Sequence, residues 1–407
     1  FFYNETETTE IYTLSLHDAL PILANGVKVI VAPSNGEGYR VSATVRVGHV
    51  NESRLGIAAV CEKVILSQLK NSSAVYGGTI TSFILGCNSG NVEDALTALA
   101  GVLKNPDLSQ QRIDAAVADI VQHTQDMAPL PQRQMKLLYK HTAFKKGKVL
   151  WDTDAYIDSV KSLTSADLKS FMETYYSGKN LVVCLAGPSV KTEEFAKLAE
   201  KYLGDYPAGR AQKVENQFYT GGYAKLPAKK GFQKVMLGWD VSGLQNVSEA
   251  NVLMSMLAGR LERSFADYDV TTEVKIAGYY GLRTLRVAVE AREEDVNTCI
   301  DIVCANINRL TTSLASDRRM ETSRNRAMCE KLFQLTQQED ASIEAAWQVL
   351  GRGKMYDVSE RINATWLVSA RDVQDIAREI FATPLTLVVC SQQPCYTYDE
   401  VKKMIKQ

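Results

Sequence analysis

A pattern of helix, turn and strand occurs twice in this chain and restricts its fold more than any other feature. Residues 164–184 read TSADLKSFMETYYSGKNLVVC, and residues 369–390 read SARDVQDIAREIFATPLTLVVC. Each copy begins with a Ser or Thr that can cap a helix, continues with apolar residues at helical spacing, and ends in a β-branched strand. A match over three successive elements predicts that the chain is an internal duplication.

A second pair of segments supports the duplication. One predicted helix begins at Asn91 after a strand-like run at 78–85, and another begins at Glu293 after a strand-like run at 282–290. Helices that have one apolar face and connect strands predict a sheet covered on one side. We therefore predict an α+β fold of two homologous α/β domains that close like a clam-shell. Each domain is expected to be a mostly antiparallel sheet with helices on one face.

Local composition places the domain boundaries. Between 204 and 231, Gly and Pro residues mix with lysines and no periodicity remains, which indicates a linker. We expect a first α/β domain at 23–205, a linker at 206–231 and a second α/β domain at 232–407. The segment 1–22 has no lysine or arginine, unlike a targeting segment, and it resembles translated sequencing adaptor. We expect this segment to be foreign to the fold.

Charge and composition exclude several classes of function. The chain has 46 basic and 47 acidic residues in 407, which gives no footprint for nucleic acid. No apolar run approaches the roughly 20 residues that span a bilayer, so membrane association is expected only through partner proteins. The eight cysteines include no C-x-x-C pair, and no nucleotide, haem or iron–sulfur motif occurs. We expect reduced thiols and no cofactor.

Several short motifs resemble those of the mitochondrial processing peptidase and complex III core-protein family, which has a pitrilysin-like fold. They are LANGVKVIV at 23–31, VRVGH at 45–49, LGIAAVCEK at 55–63 and FYTGG at 218–222. The resemblance extends over residues 23–407. It depends on the order of these motifs and on the duplication more than on any single motif.

In active members of this family, the segment matching 55–63 presents two histidines that hold zinc and a glutamate that acts as general base. The corresponding residues here are Ala59, Lys63 and Glu62. Alanine offers no lone pair and a protonated lysine repels a cation, so we predict no metal and no catalytic residue at these degenerate positions. The family's third ligand corresponds to a residue between Asp119 and His123, and the register stays open.

Histidine placement leaves one enzymatic alternative. The four histidines are His17, His49, His123 and His141, and no two of them are three or four positions apart. A second two-histidine metal helix is therefore excluded. An unorthodox metallopeptidase site built from Glu62 and His123 remains a rival hypothesis.

The resemblance also implies a role. It implies a non-catalytic structural or assembly subunit of complex III, of the second core-protein type, on the matrix side of the mitochondrial inner membrane. The implied partners are the second core subunit, cytochrome b, cytochrome c1 and the iron–sulfur subunit. The alternative is a non-catalytic, presequence-binding subunit of the processing peptidase. Its α-type carries a glycine-rich loop, whereas the matching residues 251–265 contain one glycine, which argues against that type.

Overall fold

A computed structural model describes residues 21–33, 38–146, 153–212, 218–227, 233–244, 247–279, 282–336, 338–353, 355 and 358–405. Residues 1–20 of the segment expected to be foreign, which include His17, lie outside the described residues. The chain forms two compact units. Among the described residues, unit 1 lies within 21–124, 153–212 and 331–361, and unit 2 lies within 125–146, 218–330 and 362–405.

The strands are β1 Lys28–Pro33, β2 Tyr39–Val45, β3 Ser72–Tyr76, β4 Thr81–Cys87, β5 Phe144–Lys146, β6 Leu181–Gly187, β7 Phe218–Tyr219, β8 Gly222–Leu226, β9 Gln233–Asp240, β10 Thr271–Tyr279, β11 Leu282–Ala291 and β12 Thr386–Cys390.

The α-helices are α1 Ile57–Leu66, α2 Val92–Lys104, α3 Gln110–Met127, α4 Pro131–Ala143, α5 Thr153–Lys161, α6 Ser165–Tyr175, α7 Thr192–Leu203, α8 Val247–Ser264, α9 Val296–Thr312, α10 Asp317–Thr336, α11 Gln338–Arg352, α12 Val358–Leu367, α13 Ala370–Phe381 and α14 Tyr398–Met404. None of the described helices combines the length and the apolar composition needed to cross a bilayer.

The two sheets have the same topology. The sheet of unit 1 has the order β1-β6-β2-β4-β3, and the sheet of unit 2 has the order β8-β12-β9-β11-β10 when it is written in the corresponding direction. In each sheet one edge pair is parallel, β1 with β6 and β8 with β12, and the other neighbours are antiparallel. The predicted duplication and the mostly antiparallel sheets are therefore confirmed.

Matching helix caps support the same conclusion. The side chain of Thr164 accepts a hydrogen bond from the backbone N–H of Asp167 at 3.3 Å, at the start of α6. Ser369 accepts the equivalent bond from Asp372 at 3.2 Å, at the start of α13. In both copies the aspartate accepts in return from the backbone N–H of the capping residue, which completes a capping box.

The sheet of unit 1 buries side chains on both of its faces. Leu181, Val183 and Leu185 of β6 belong to the main core cluster, together with residues of α1, α2, α6 and α7. The alternate residues Val182 and Cys184 are also fully buried but lie outside that cluster. Helix α11 packs against β6, β2 and β1 and supplies the second cover.

Unit 2 repeats this arrangement with a helix from the first half of the sequence. Met135 and Tyr139 of α4 form a separate buried cluster with Met236 of β9 and Val388 of β12. The predicted fold class is thus confirmed, and the structure adds one helix to the second face of each sheet. Each sheet needs this second cover because its central strands carry apolar residues on both faces. Helices on one side alone would leave an apolar face exposed to water.

The expected linker at 206–231 needs a correction. Residues of this segment form β7, which pairs with β5, and β8, which is the edge strand beside β12. Strand β8 alternates between half-buried and exposed residues and begins at a glycine, so its sequence gives a weak strand signal. The units are also discontinuous in sequence, because α4 belongs to unit 2 and α11 to unit 1. Contiguous boundaries at 23–205 and 232–407 do not describe this arrangement.

The packing of α4 on the sheet generates a prediction at Gly238. A Cβ at this position of β9 would overlap the hydroxyl oxygen of Tyr139, which is 1% exposed. We expect Gly238→Ala to lower the free energy of unfolding by roughly 1–3 kcal/mol through overpacking. Tyr139→Phe in the same chain should recover part of this loss, because it removes the nearest clashing atom.

The measurement is urea unfolding of the single and double variants, followed by circular dichroism. Gly101→Ala in α2 is the control, because an added methyl group there meets open space; we expect a neutral or slightly stabilising effect. Strictly additive effects of the Gly238 and Tyr139 changes would contradict the proposed contact.

Candidate functional site

The helix that carries the degenerate motif begins at a position only glycine fits. Gly56 precedes α1 with φ of 83°, in the left-handed region. A Cβ at Gly56 would also overlap the side chain of Val160 on α5. Both the backbone conformation and the close approach of α5 therefore require glycine here. This local geometry fixes where α1 starts and which residues face the core.

Glu52 holds the first turn of α1. Its carboxylate accepts hydrogen bonds from the backbone N–H groups of Gly56 at 3.0 Å and Ala58 at 3.1 Å. The hydroxyl of Tyr76 donates to the same carboxylate at 3.2 Å. Because the first N–H groups of a helix have no partner within it, a carboxylate at this end satisfies them and complements the helix dipole.

Burial dominates the electrostatics of Glu52. The residue is 1% exposed, and its loss of hydration raises the pKa of the carboxyl group to about 7, although its hydrogen bonds act in the opposite direction. Sequence reasoning missed Glu52, because it lies several residues before the helix and outside every motif of the family. Its only sequence signal is an acidic residue shortly before a helix start, which is common.

The three degenerate positions lie together on α1. Ala59 is 8% exposed and Glu62 is 6% exposed, whereas Lys63 reaches the surface. Burial raises the pKa of the Glu62 carboxyl group, Lys63 lowers it, and Asp119 raises it. Ala59, Glu62 and Lys63 therefore lie together at the edge of the core of unit 1, where buried and exposed side chains meet.

Asp119 is the partner that α3 supplies to this region. The Nζ atom of Lys63 lies 2.8 Å from Oδ2 of Asp119, and this hydrogen bond raises the pKa of the lysine ammonium group. The third family ligand was expected to correspond to a residue between Asp119 and His123. Of these two residues, Asp119 lies next to the motif on α1. His123 is exposed one turn further along α3.

The residues present do not fit a zinc ion. A zinc site needs several nitrogen, sulfur or oxygen donors with free lone pairs around one point. Position 59 supplies a methyl group, and position 63 supplies an ammonium group that already binds the carboxylate of Asp119. Among the described residues, no group of three or more His, Cys, Asp or Glu side chains is arranged to hold a metal.

A polar cleft of about 450 Å³ adjoins the Lys63–Asp119 pair. It lies between α1 and the first half of α3, and its lining is mostly charged or polar. Arg112 crosses one end of the cleft, where its Nε donates to Asp107 at 2.7 Å and a terminal nitrogen donates to Ser67 at 3.1 Å. The charged groups here are paired with one another, which leaves this surface with salt bridges instead of an activated nucleophile.

The region compared with the glycine-rich loop is helical. Residues 251–264 form most of α8, and Val252, Leu253, Met256 and Leu257 are buried in the core of unit 2. A segment with this much buried apolar surface is part of the scaffold.

The cysteines, all of which lie in the described ranges, are free thiols.

Comparison with known proteins finds similarity to peptidase-like proteins and to subunits of complex III. Residues 162–327 match the family model described as the peptidase M16 inactive domain. The human cytochrome b-c1 complex subunit 1 is 23% identical over 175 residues, which cover 43% of this chain and 35% of the relative. A probable mitochondrial-processing peptidase subunit beta of Arabidopsis thaliana is 28% identical over 141 residues, which cover 33% of this chain and 26% of the relative.

A solved structure gives a longer match. A chain in the structure of complex III2 from Candida albicans, Inz-5 bound, superposes with a TM-score of 0.84, at 15% identity, over 95% of this chain and 99% of that chain. The matches to the two curated relatives above span about a third of their length or less. The chain is a homologue of complex III core proteins and of processing peptidase subunits.

The buried carboxyl group of Glu52 predicts a pH dependence of stability. Its pKa in the folded state, about 7, exceeds the ordinary value of 4.5, so the folded chain holds the proton more tightly between these values. Stability should therefore fall as pH rises from about 4.5 to about 7, by roughly 3 kcal/mol from this group. Glu52→Gln should remove this contribution, because the amide does not ionise.

The test is the free energy of unfolding of wild type and Glu52→Gln at several pH values across this window. The exposed Glu173→Gln on α6 is the matched control and should keep the wild-type slope. Parallel pH profiles for wild type and Glu52→Gln would contradict the assigned role.

The degenerate positions predict what would restore metal binding. Ala59→His combined with Lys63→His supplies two imidazoles one turn apart, close to the carboxylate of Asp119. We expect this double variant to retain stoichiometric zinc after dialysis, and wild type to retain almost none, by elemental analysis. Asp119→Asn in the double variant should weaken retention. Stoichiometric zinc in the wild-type chain would contradict the prediction and revive the peptidase hypothesis.

Proposed function

We propose that this chain is a non-catalytic core subunit of mitochondrial complex III, with a structural and assembly role. The observation that carries the proposal is the Lys63–Asp119 ion pair, in which Lys63 stands where the resemblance expects a zinc-binding histidine. Together with Ala59, it replaces the donors that a zinc peptidase needs with a paired ammonium group and a methyl group. Peptide hydrolysis by this chain is therefore not part of the proposed role.

The proposed location is the matrix side of the inner membrane, with attachment through partner subunits. The proposed partners are a second core subunit, cytochrome b, cytochrome c1 and the iron–sulfur subunit. The long match to a chain of the Candida albicans complex and the relationship to the human complex subunit support this assembly. A subunit of the second core-protein type remains our choice, on the motif order described above. Electron transfer would belong to the partner subunits.

The experiment is affinity purification of the tagged chain from a mitochondrial detergent extract. We expect cytochrome b, cytochrome c1 and the iron–sulfur subunit in the same fraction by mass spectrometry, together with antimycin-sensitive reduction of cytochrome c. A Lys63→Met variant should copurify equally well, because the exposed ion pair contributes little to folding. Recovery of the chain alone, or with a peptidase-like chain only, would contradict membership of complex III.

The second candidate is a non-catalytic subunit of the processing peptidase that binds presequences. The relationship to the Arabidopsis processing peptidase subunit favours it, and the motif at 55–63 is compatible with it. A fluorescent basic presequence peptide distinguishes the two candidates. Saturable binding to the chain with its copurified partner would favour the peptidase subunit, and absence of binding would remove it.

A further inference from the structure

Four arginines of unit 2 form a cluster without a carboxylate partner among the described residues. Arg260 and Arg263 lie near the end of α8, Arg309 in the last turn of α9 and Arg319 in the first turn of α10. We call these four residues the arginine cluster. The neighbouring carboxylates of Glu262 and Glu330 bind a different residue, Arg326, at 2.8 and 3.0 Å.

The three helices that carry these residues pack against one another, and α10 also reaches α8 through the Arg326–Glu262 ion pair. The core cluster of unit 2 includes Leu261, Leu310 and Met320. Each of these buried residues directly follows one member of the arginine cluster. The side-chain amide of Asn306 donates to the hydroxyl of Ser264 at 3.0 Å, which joins the end of α8 to the last turns of α9. Three helix ends therefore converge on one small region of the surface.

Arg260 is the unusual member of the cluster. It is only 6% exposed, and its buried Nε has no hydrogen-bond partner within the described chain. Burial and then the positive charges of Arg319, Arg309 and Arg263 lower the pKa of its guanidinium group. A buried N–H group of a cation that has no acceptor is costly, and three further cations nearby add to that cost.

Helix dipoles do not account for this arrangement. The negative ends of α8 and α9 favour the exposed cations Arg263 and Arg309. They do not explain why Arg260 is buried without a partner for its Nε. Arg319 lies at the positive end of α10, where the dipole disfavours a cation. An anion between these groups would remove both conflicts at once.

We propose that the arginine cluster binds a phosphate group, with Arg260 as the buried anchor and the other three arginines around the rim. A guanidinium group presents a planar fork of N–H donors that matches two oxygens of a phosphate. The phosphate can come from free inorganic phosphate or from the headgroup of an anionic phospholipid. The site belongs to unit 2 alone and does not depend on the assembly proposed above.

The experiment measures binding of the full chain to two probes. The first is inorganic phosphate, by calorimetry and by the shift in melting temperature, with chloride at equal ionic strength as reference. The second is flotation with vesicles of phosphatidylcholine containing phosphatidylglycerol. We expect saturable binding to at least one probe, weakened by added salt. Phosphate binding identifies the free anion as the source, and vesicle binding without phosphate binding identifies the headgroup.

Neighbouring arginines on α10 provide matched variants. Arg319→Gln should weaken binding by about tenfold, the fold-change expected for loss of one charge-assisted contact. Arg318→Gln carries the same charge change at an exposed position outside the cluster and should leave binding unchanged. Equal effects of both variants, or no binding to either probe, would overturn the proposal.

Arg260→Met separates ligand binding from stability. In phosphate-free buffer this variant should melt at or above the wild-type temperature, because it removes a poorly compensated buried charge. It should also lose the melting-temperature shift produced by the probe that binds wild type. A variant that melts lower and keeps the full shift would overturn the assignment of Arg260 as the anchor. If this variant does not fold, the comparison of Arg319→Gln with Arg318→Gln still decides.

Discussion

Burial of the strands β6 and β12 on both faces is the constraint on which the rest of the structure depends. Every residue of these two strands is buried, so each sheet needs packing partners on both sides. The first face is covered by helices near in sequence, and the second face is covered by α11 in unit 1 and by α4 in unit 2. Each unit is therefore completed by a helix from the opposite half of the chain.

The contacts that hold α1 do not depend on the side chains at the degenerate positions 59, 62 and 63. The helix is held by the carboxylate of Glu52, by the tight start at Gly56 and by buried residues such as Val60 and Val64. The exposed Lys63–Asp119 pair contributes at most about 1 kcal/mol. Substitutions at Lys63 and Asp119 are therefore expected to leave the fold intact, which is compatible with the proposed non-catalytic role.

Sequence alone predicted the duplication, the helix caps at Thr164 and Ser369, and the mostly antiparallel sheets, because these follow from local patterns repeated along the chain. It could not assign α4 and α11 to their sheets. Helical periodicity tells which face of a helix is apolar, but not which distant strand covers that face. Glu52 was missed because its role depends on burial. Which residue of 119–123 lies beside the motif could not be decided until the structure placed α3 next to α1.

The arginine cluster illustrates the same limit. Its members are spread over three helices and give no motif, and the overall charge of the chain is close to neutral. The three helices meet through a shared core that includes Leu261, Leu310 and Met320, and through the Asn306–Ser264 hydrogen bond. The placement of these arginines is therefore determined by how the three helices pack, which no local sequence pattern records.

We propose that the chain supports complex III without acting as a peptidase. The most direct measurement depletes the chain from mitochondria and restores it as wild type or as Glu62→Gln, which removes the general base that a peptidase would need. The account predicts loss of assembled complex III on native gels, normal presequence cleavage, and full recovery with either form. Loss of presequence cleavage with intact complex III, or failure of a folded Glu62→Gln chain to restore assembly, would contradict it.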